Sequence, residues 1–205
     1  GGVGGRAGLM KRYRAERPVD ICFARGTFNA HPYVMGAMQV FLDTYAMQAC
    51  WHMWKRGTTQ DQIAIAASKN HYHGSLNPKA QYQENMTVED VMNARPVTYP
   101  LTVPMCAPVG DGAAAAIVCS ESFLKKLKSA QPVKIRASVH GSGTDRDFDG
   151  EDIGERLVKQ AYDMAGVGPG DISLAELHDA TAYGELHQTE AMGFCPIGGG
   201  GPYAE

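Results

Sequence analysis

The chain has 205 residues, 44% of them apolar and 20% charged, a mix that excludes a disordered chain and allows a core of ordinary size. Its formal net charge of −3 argues against a nucleic-acid or anionic-membrane surface. No apolar run reaches the roughly 18 residues that a membrane-spanning helix needs.

Taken in chain order, GLMKRYRAER at 8–17 reads as a short basic helix stopped before Pro18. DICFARGTF at 20–28 has a strand-like core that runs into a glycine turn. Pro32 to Arg56 reads as one long helix. Val34, Met38, Phe41, Tyr45, Met47, Cys50 and Trp54 recur along it at helical spacing as the expected core face, and Gly57 is its stop. Thr58 and Thr59 ahead of Gln60-Asp61-Gln62 signal an N-cap, and that helix is expected to run through IAIAASKNH. The polar stretch 70–86 reads as loop, and Thr87 opens a short helix, VEDVMNAR, ended by Pro96.

GDGAAAAIVCS at 110–120 reads as a glycine turn leading into a buried strand, and SESFLKKLKSA as a short helix. VKIRASVHGSGTD at 133–145 alternates over its first half, which predicts a strand. EDIGERLVKQAYDMAGV at 151–167 is an amphipathic helix with Ile153, Leu157, Ala161 and Met164 on one face. ISLAELHD at 172–179 is strand-like, and a helix is expected from Ala180 through Glu190. Strands and helices thus alternate over the second half, which predicts α/β layers with a parallel sheet.

Three constellations carry candidate chemistry. His178 stands at the end of a predicted strand and the start of a helix, where α/β enzymes place reactive groups. There it can donate a hydrogen bond to a carbonyl oxygen or shuttle a proton, with Asp179 fixing its neighbourhood or capping the helix. The bland alternative is a capping His-Asp pair with no reactivity. Asp145, Asp147, Asp149 and Gly150 match the start of a calcium loop, but Arg156 stands where the bidentate acid should be. An acidic loop ahead of a helix N-terminus is the favoured reading. His71 and His73, two apart on an extended segment, point the same way. They lack an acidic or Cys partner for a metal, which leaves a substrate contact or a plain loop.

The five cysteines at 22, 50, 106, 119 and 195 form no CxxC pair, which suits free thiols in a reducing compartment and a cytoplasmic protein. No secretory signal is legible at the start. Glycine is frequent, 24 residues, and bunched in GGVGG at 1–5 and GGGG at 198–201, but neither run makes a GxGxxG cradle after a strand.

From about Thr44 onward the chain resembles the thiolase superfamily, in particular its sterol-carrier-protein-type and lipid-transfer branch. The matching stretches are GTTQDQIAIAASKNHYHGSLNPKAQY, NARPVTYPLTVPMCAPVGDGAAAAIVCSE and ISLAELHDATAYGELHQTEAMGFCPIGGGG, within a region of about 160 residues. The resemblance implies a layered α/β fold with a mixed sheet, present in part. It implies acyl transfer beside a coenzyme A thioester, with the thioester as substrate and no covalently bound cofactor. In this branch His178 takes the oxyanion-hole role that an Asn fills in other thiolases, with Asp179 in support. A fixed donor aimed at developing negative charge accelerates such chemistry by orders of magnitude. Homo-oligomers and a small partner protein are implied as well. The family's nucleophilic Cys, its GHP histidine and its CxG cysteine have no counterparts among residues 44–205. The chain is therefore expected to be an acyltransferase fragment that lacks turnover, or alternatively a non-catalytic coenzyme A-binding or partner-binding subunit.

Residues 1–43 resemble class III pyridoxal-phosphate aminotransferases of the glutamate-1-semialdehyde aminomutase kind. VGGRAGLMKRYRAERPVDICFARGTFNAHPYVMGAMQVFL carries the match, and by resemblance Thr27 is a vestigial contact to cofactor phosphate. No Schiff-base lysine precedes it, so a pyridoxal-phosphate enzyme is a remote alternative. These residues hold six basic and three acidic side chains, against thirteen and nineteen in 44–205. The expected organisation is a chimera joined near Phe41 to Tyr45. It comprises an aminotransferase-like piece at 1–43, the end of a thiolase N-terminal half at 44–130 and the start of its C-terminal half at 131–205.

Overall fold

The structure, a computed structural model, describes residues 32–107, 113–128 and 131–205. The basic helix at 8–17, the 20–28 segment and Thr27 lie outside the described residues. Helix α1, Pro32–Arg56, runs unbroken through 41–45, so the expected junction leaves no kink in the backbone. It ends where Gly57 takes a left-handed φ of 81° and donates its N–H to the Met53 carbonyl. Among the described side chains of α1, those sealed into the core are Ala46, Ala49 and His52. Met47 and Trp54, expected in the core, are 58% and 78% exposed. The reason is packing distance: α1 meets its neighbours through alanines, whose small side chains let the backbones approach, and the bulky residues rotate outward. The side chains of Val34, Met38 and Phe41 lie outside the described ones.

Helix α2, Gln60–Leu76, starts at a full capping box. The Thr59 hydroxyl accepts from the Gln62 N–H, and the Gln62 side chain accepts from the Thr59 N–H. It runs to Leu76, so 70–76 is helix and not loop. Tertiary contact extends it: residues 77–86 fold back along the last turns, with the Tyr82 carbonyl against Gly74 and Ser68 donating to the Met86 carbonyl. A Cβ at Gly74 would lie 2.9 Å from that carbonyl. Helix α3, Val88–Asn93, opens on a second capping box between Thr87 and Asp90. Strands β1, Pro96–Thr98, and β2, Leu101–Thr102, form an antiparallel pair, and a 3-10 turn follows at Val103–Met105.

Helix α4, Glu121–Leu124, is capped by Ser120. Helix α5, Ile153–Ala165, runs from an Asp152–Glu155 capping box to a left-handed Gly166. Its apolar stripe is only half buried, and Met164 is 59% exposed. Helix α6, Ala182–Ala191, and helix α7, Gly200–Ala204, complete the described chain. Ile63 and the alanines of α2, Val91, Leu101, Met105, Ala182, Tyr183 and Leu186 make one core with α1. Each of the larger side chains contributes about 1.5–3 kcal/mol by leaving water.

The α/β class holds: the molecule is helix-rich with a small sheet. The parallel sheet expected of the second half does not form among the described residues. The segments 113–119, 133–139 and 172–178 have no ladder, and Ile117, Val118, Val133, Ile135 and Leu174 are exposed. A parallel strand is held by its neighbours on both edges, and no described segment pairs with these three.

Candidate active site

The N-terminus of α6 is pinned against the 3-10 turn. Cys106 and Thr181 form an antiparallel bridge, and the Ala107 N–H donates to the Ala180 carbonyl at 3.0 Å. This stitch fixes the His178–Ala180 turn beside a groove of about 630 Å³. Met86, Val97, Val103 and Met105 give the groove apolar walls, and Asn70, His71 and Asp179 stand among its polar lining. A cleft of this size, apolar with a few converging polar groups, is the usual form of a small-molecule site.

His178 is exposed at the turn, and its carbonyl accepts from the Gln188 side-chain amide. Asp179 is half-buried. Burial raises its carboxyl above the usual range, the nearby Glu185 charge adds to the rise, and His178 and Lys69 oppose it. The Asn70 side-chain amide reaches from α2 to Asp179 at 3.3 Å and to Glu185 at 2.9 Å. Lys69, one residue earlier, pairs with the other Glu185 oxygen.

The structure separates the two histidines of 71–73. On a helix, residues two apart point about 200° from each other. His71 lines the groove, whereas His73 is exposed and stacks obliquely on Tyr72. The extended geometry expected of them is thus replaced by helix α2, which leaves His71 alone at the groove. The acidic loop 145–152 caps α5 through Asp152, and among the described residues no cluster of three or more His, Cys, Asp or Glu side chains could hold a metal.

A second polar cluster occupies the opposite side of α6. His52 takes Thr58 Oγ1 at 2.8 Å on Nδ1 and Glu190 Oε2 at 3.1 Å on Nε2, all three residues being buried. Burial would push the Glu190 carboxyl up. The hydrogen bond from His52, the N–H groups of Gly198 and Gly200 and the His52 charge hold it below the usual range instead. His187 donates to Asp152 at 2.7 Å, Arg146 lies 3.5 Å from the same carboxylate, and the Tyr183 ring sits between the two histidines. Asp152 is depressed to about 2, first by the His187 hydrogen bond. Neither this cluster nor the Lys69–Asn70–Glu185 set was foreseen from sequence. The one signal available is the polar run SKNH directly after the apolar IAIAA of α2.

Residues 146–205 match the thiolase C-terminal domain-like family. The chain is 39% identical over 165 residues to the benzoylsuccinyl-CoA thiolase subunit BbsB of Thauera aromatica, covering 78% of this chain and 43% of that protein. It is equally identical, with the same coverage, to an acetyl-CoA acetyltransferase of Methanothermobacter thermautotrophicus. Rabbit (Oryctolagus cuniculus) sterol carrier protein 2 is 34% identical over 91% of this chain and 34% of its own length, an alignment that extends into residues 1–43. A solved Ltp2-ChsH2(DUF35) aldolase superposes with a TM-score of 0.71 at 30% identity, covering 78% of this chain and 44% of the other. The chain spans less than half the length of these relatives. Its fold is a thiolase-like α/β fold over that part. The aminotransferase origin of 1–43 finds no counterpart in these similarities. Over most of its length the chain is similar to thiolases and to sterol carrier protein 2.

Proposed function

We propose that this chain binds an acyl-coenzyme A thioester at the groove beside the His178–Ala180 turn and serves thiolase-type acyl transfer there. The observation that carries the reading is the pinned turn: Asp179, the neighbour of the exposed His178, lines an apolar groove together with His71. In this reading the acyl group lies along Met86, Val97 and Val103, and the His178 imidazole N–H donates to the thioester carbonyl oxygen. Carbon–carbon bond formation or cleavage beside a thioester builds negative charge on that oxygen, so a donor held in place lowers the barrier. Asp179 supports the turn. No covalently bound cofactor enters the scheme, and coenzyme A arrives as part of the substrate.

Turnover needs an activated thiol as well. Burial pushes the thiols of Cys50, Cys106 and Cys195 up, which disfavours the thiolate. With the counterparts of the family's catalytic cysteines missing from residues 44–205, the chain by itself is expected to bind thioester without thiolysis, whether it acts as part of a longer protein, as a homo-oligomer or beside a small partner. Calorimetric titration with acetyl-CoA tests this. Wild type should bind, and His178→Ala should weaken binding up to about tenfold, the worth of one hydrogen bond. Absent binding, or binding indifferent to H178A, would sink the proposal. Robust Cys-dependent thiolysis of acetoacetyl-CoA would overturn the expectation of no turnover.

A further inference from the structure

We infer that Lys69, Glu185 and Asn70 form a brace that positions Asp179, and with it the His178–Ala180 turn, at the groove. This rests on the site reading above and adds three residues to it, of which Asn70 also lines the groove.

The turn is held at three points, each by a different chemistry. Ala107 takes the Ala180 carbonyl through a backbone bridge. Gln188 takes the His178 carbonyl from the second turn of α6. The third hold, on the Asp179 side chain, is the one that comes from α2. A primary amide nitrogen carries two hydrogens, and Asn70 spends one on Asp179 Oδ2 and the other on Glu185 Oε2. No residue with a single donor could do both. Two carboxylates gathered on one amide repel each other, and Lys69 offsets that by pairing with the far oxygen of Glu185, whose side chain is only 13% exposed. Lys69 and Asn70 are consecutive on α2, and Glu185 sits in the first turn of α6, so the brace forms only while the two helices keep their packing. Other charged or titratable groups at this place are His178 on the turn and His71, Tyr82, Glu84 and Cys106 on the groove wall. Apart from Asn70, none of these supplies a hydrogen bond to the Asp179 carboxylate.

The test is carried out on the full chain. The Asp179 carboxyl is followed by carbon NMR through a pH titration, its resonance assigned with Asp179→Asn, in wild type, Asn70→Ala, Asn70→Gln and Lys69→Met. Loss of the amide donor or of the ammonium leaves the charged carboxylate less supported, so N70A and K69M should move the Asp179 midpoint upward. The longer amide of N70Q should restore part of the wild-type value. Acetyl-CoA affinity at neutral pH should fall roughly three- to tenfold in N70A. An unchanged midpoint in both N70A and K69M would overturn the brace, as would a shifted midpoint with unchanged thioester affinity in a wild type that binds. If wild type binds no thioester while the midpoint still moves, the brace stands and the proposed function fails. Should N70A not fold, K69M and N70Q decide the matter alone.

Discussion

At the scale of single residues, the half-buried pair of Asp152 and His187 sets how the fold responds to acid. Asp152 caps α5, accepts from His187 on α6 and lies beside Arg146. Its carboxyl falls from 3.8 to about 2 on folding. A depressed carboxyl stabilises the fold above its unfolded value, and that contribution is lost as the pH falls from 3.8 through 2. Its worth is up to about 2 kcal/mol. His187→Gln should therefore lower the unfolding midpoint at pH 7 by several degrees. The same substitution should flatten the loss of stability between pH 4 and about 2, as followed by circular dichroism. An acid limb identical to wild type would count against the pair. Of the candidate site, the sequence offers His178, Asp179 and His71. Those residues carry recognisable chemistry in a recognisable motif. Asn70, Lys69 and Glu185 are ordinary surface types, and their significance arises from α2 lying against α6, which no local pattern encodes.

At the scale of elements, the helices were readable because their ends are written locally. Thr59, Thr87 and Asp152 each sit three residues before a side chain that completes a capping box, and Gly57 and Gly166 mark the stops. The glycine run at 198–201 was not readable in the same way, since it is neither a phosphate cradle nor a flexible linker. It packs its backbone on α6 and α2. A Cβ at Gly200 would meet the Leu186 carbonyl oxygen at 2.5 Å and Glu190 Oε1 at 2.7 Å. A Cβ at Gly201 would meet only the end of the Gln62 side chain. Gly200→Ala should therefore cost about 1–3 kcal/mol by forcing α7 off α6. Gly201→Ala should cost under about 1 kcal/mol, because Gln62 can swing aside at the expense of weakened cap contacts. Urea unfolding of the two variants measures the difference, and equal costs would mean that the α6–α7 contact is not rigid.

At the scale of the whole molecule, two regions behave differently. Residues 42–107 and 180–205 share the core, whereas 113–145 carries strand-like sequence with no strand partner among the described residues. The small apolar run at 113–119 is expected as a buried strand and the alternation at 133–139 as a strand, and neither has a ladder among the described residues. What a sequence pattern cannot supply is the neighbour to which such a segment is hydrogen-bonded. Extended backbone with free N–H and C=O groups and apolar side chains is a template for pairing with another chain. Ile117 is 98% exposed, Val118 76% and Val133 92%. The purified chain should therefore associate with itself, its mass by light scattering rising with concentration. Ile117→Lys together with Val133→Lys places a charge on each segment and removes apolar area without touching the core. That double variant should shift the population toward monomer while leaving the unfolding transition of the core in place. If it associates as strongly as the wild type, the contact lies on another surface, with the exposed Trp54 and Met47 face of α1 the next to substitute.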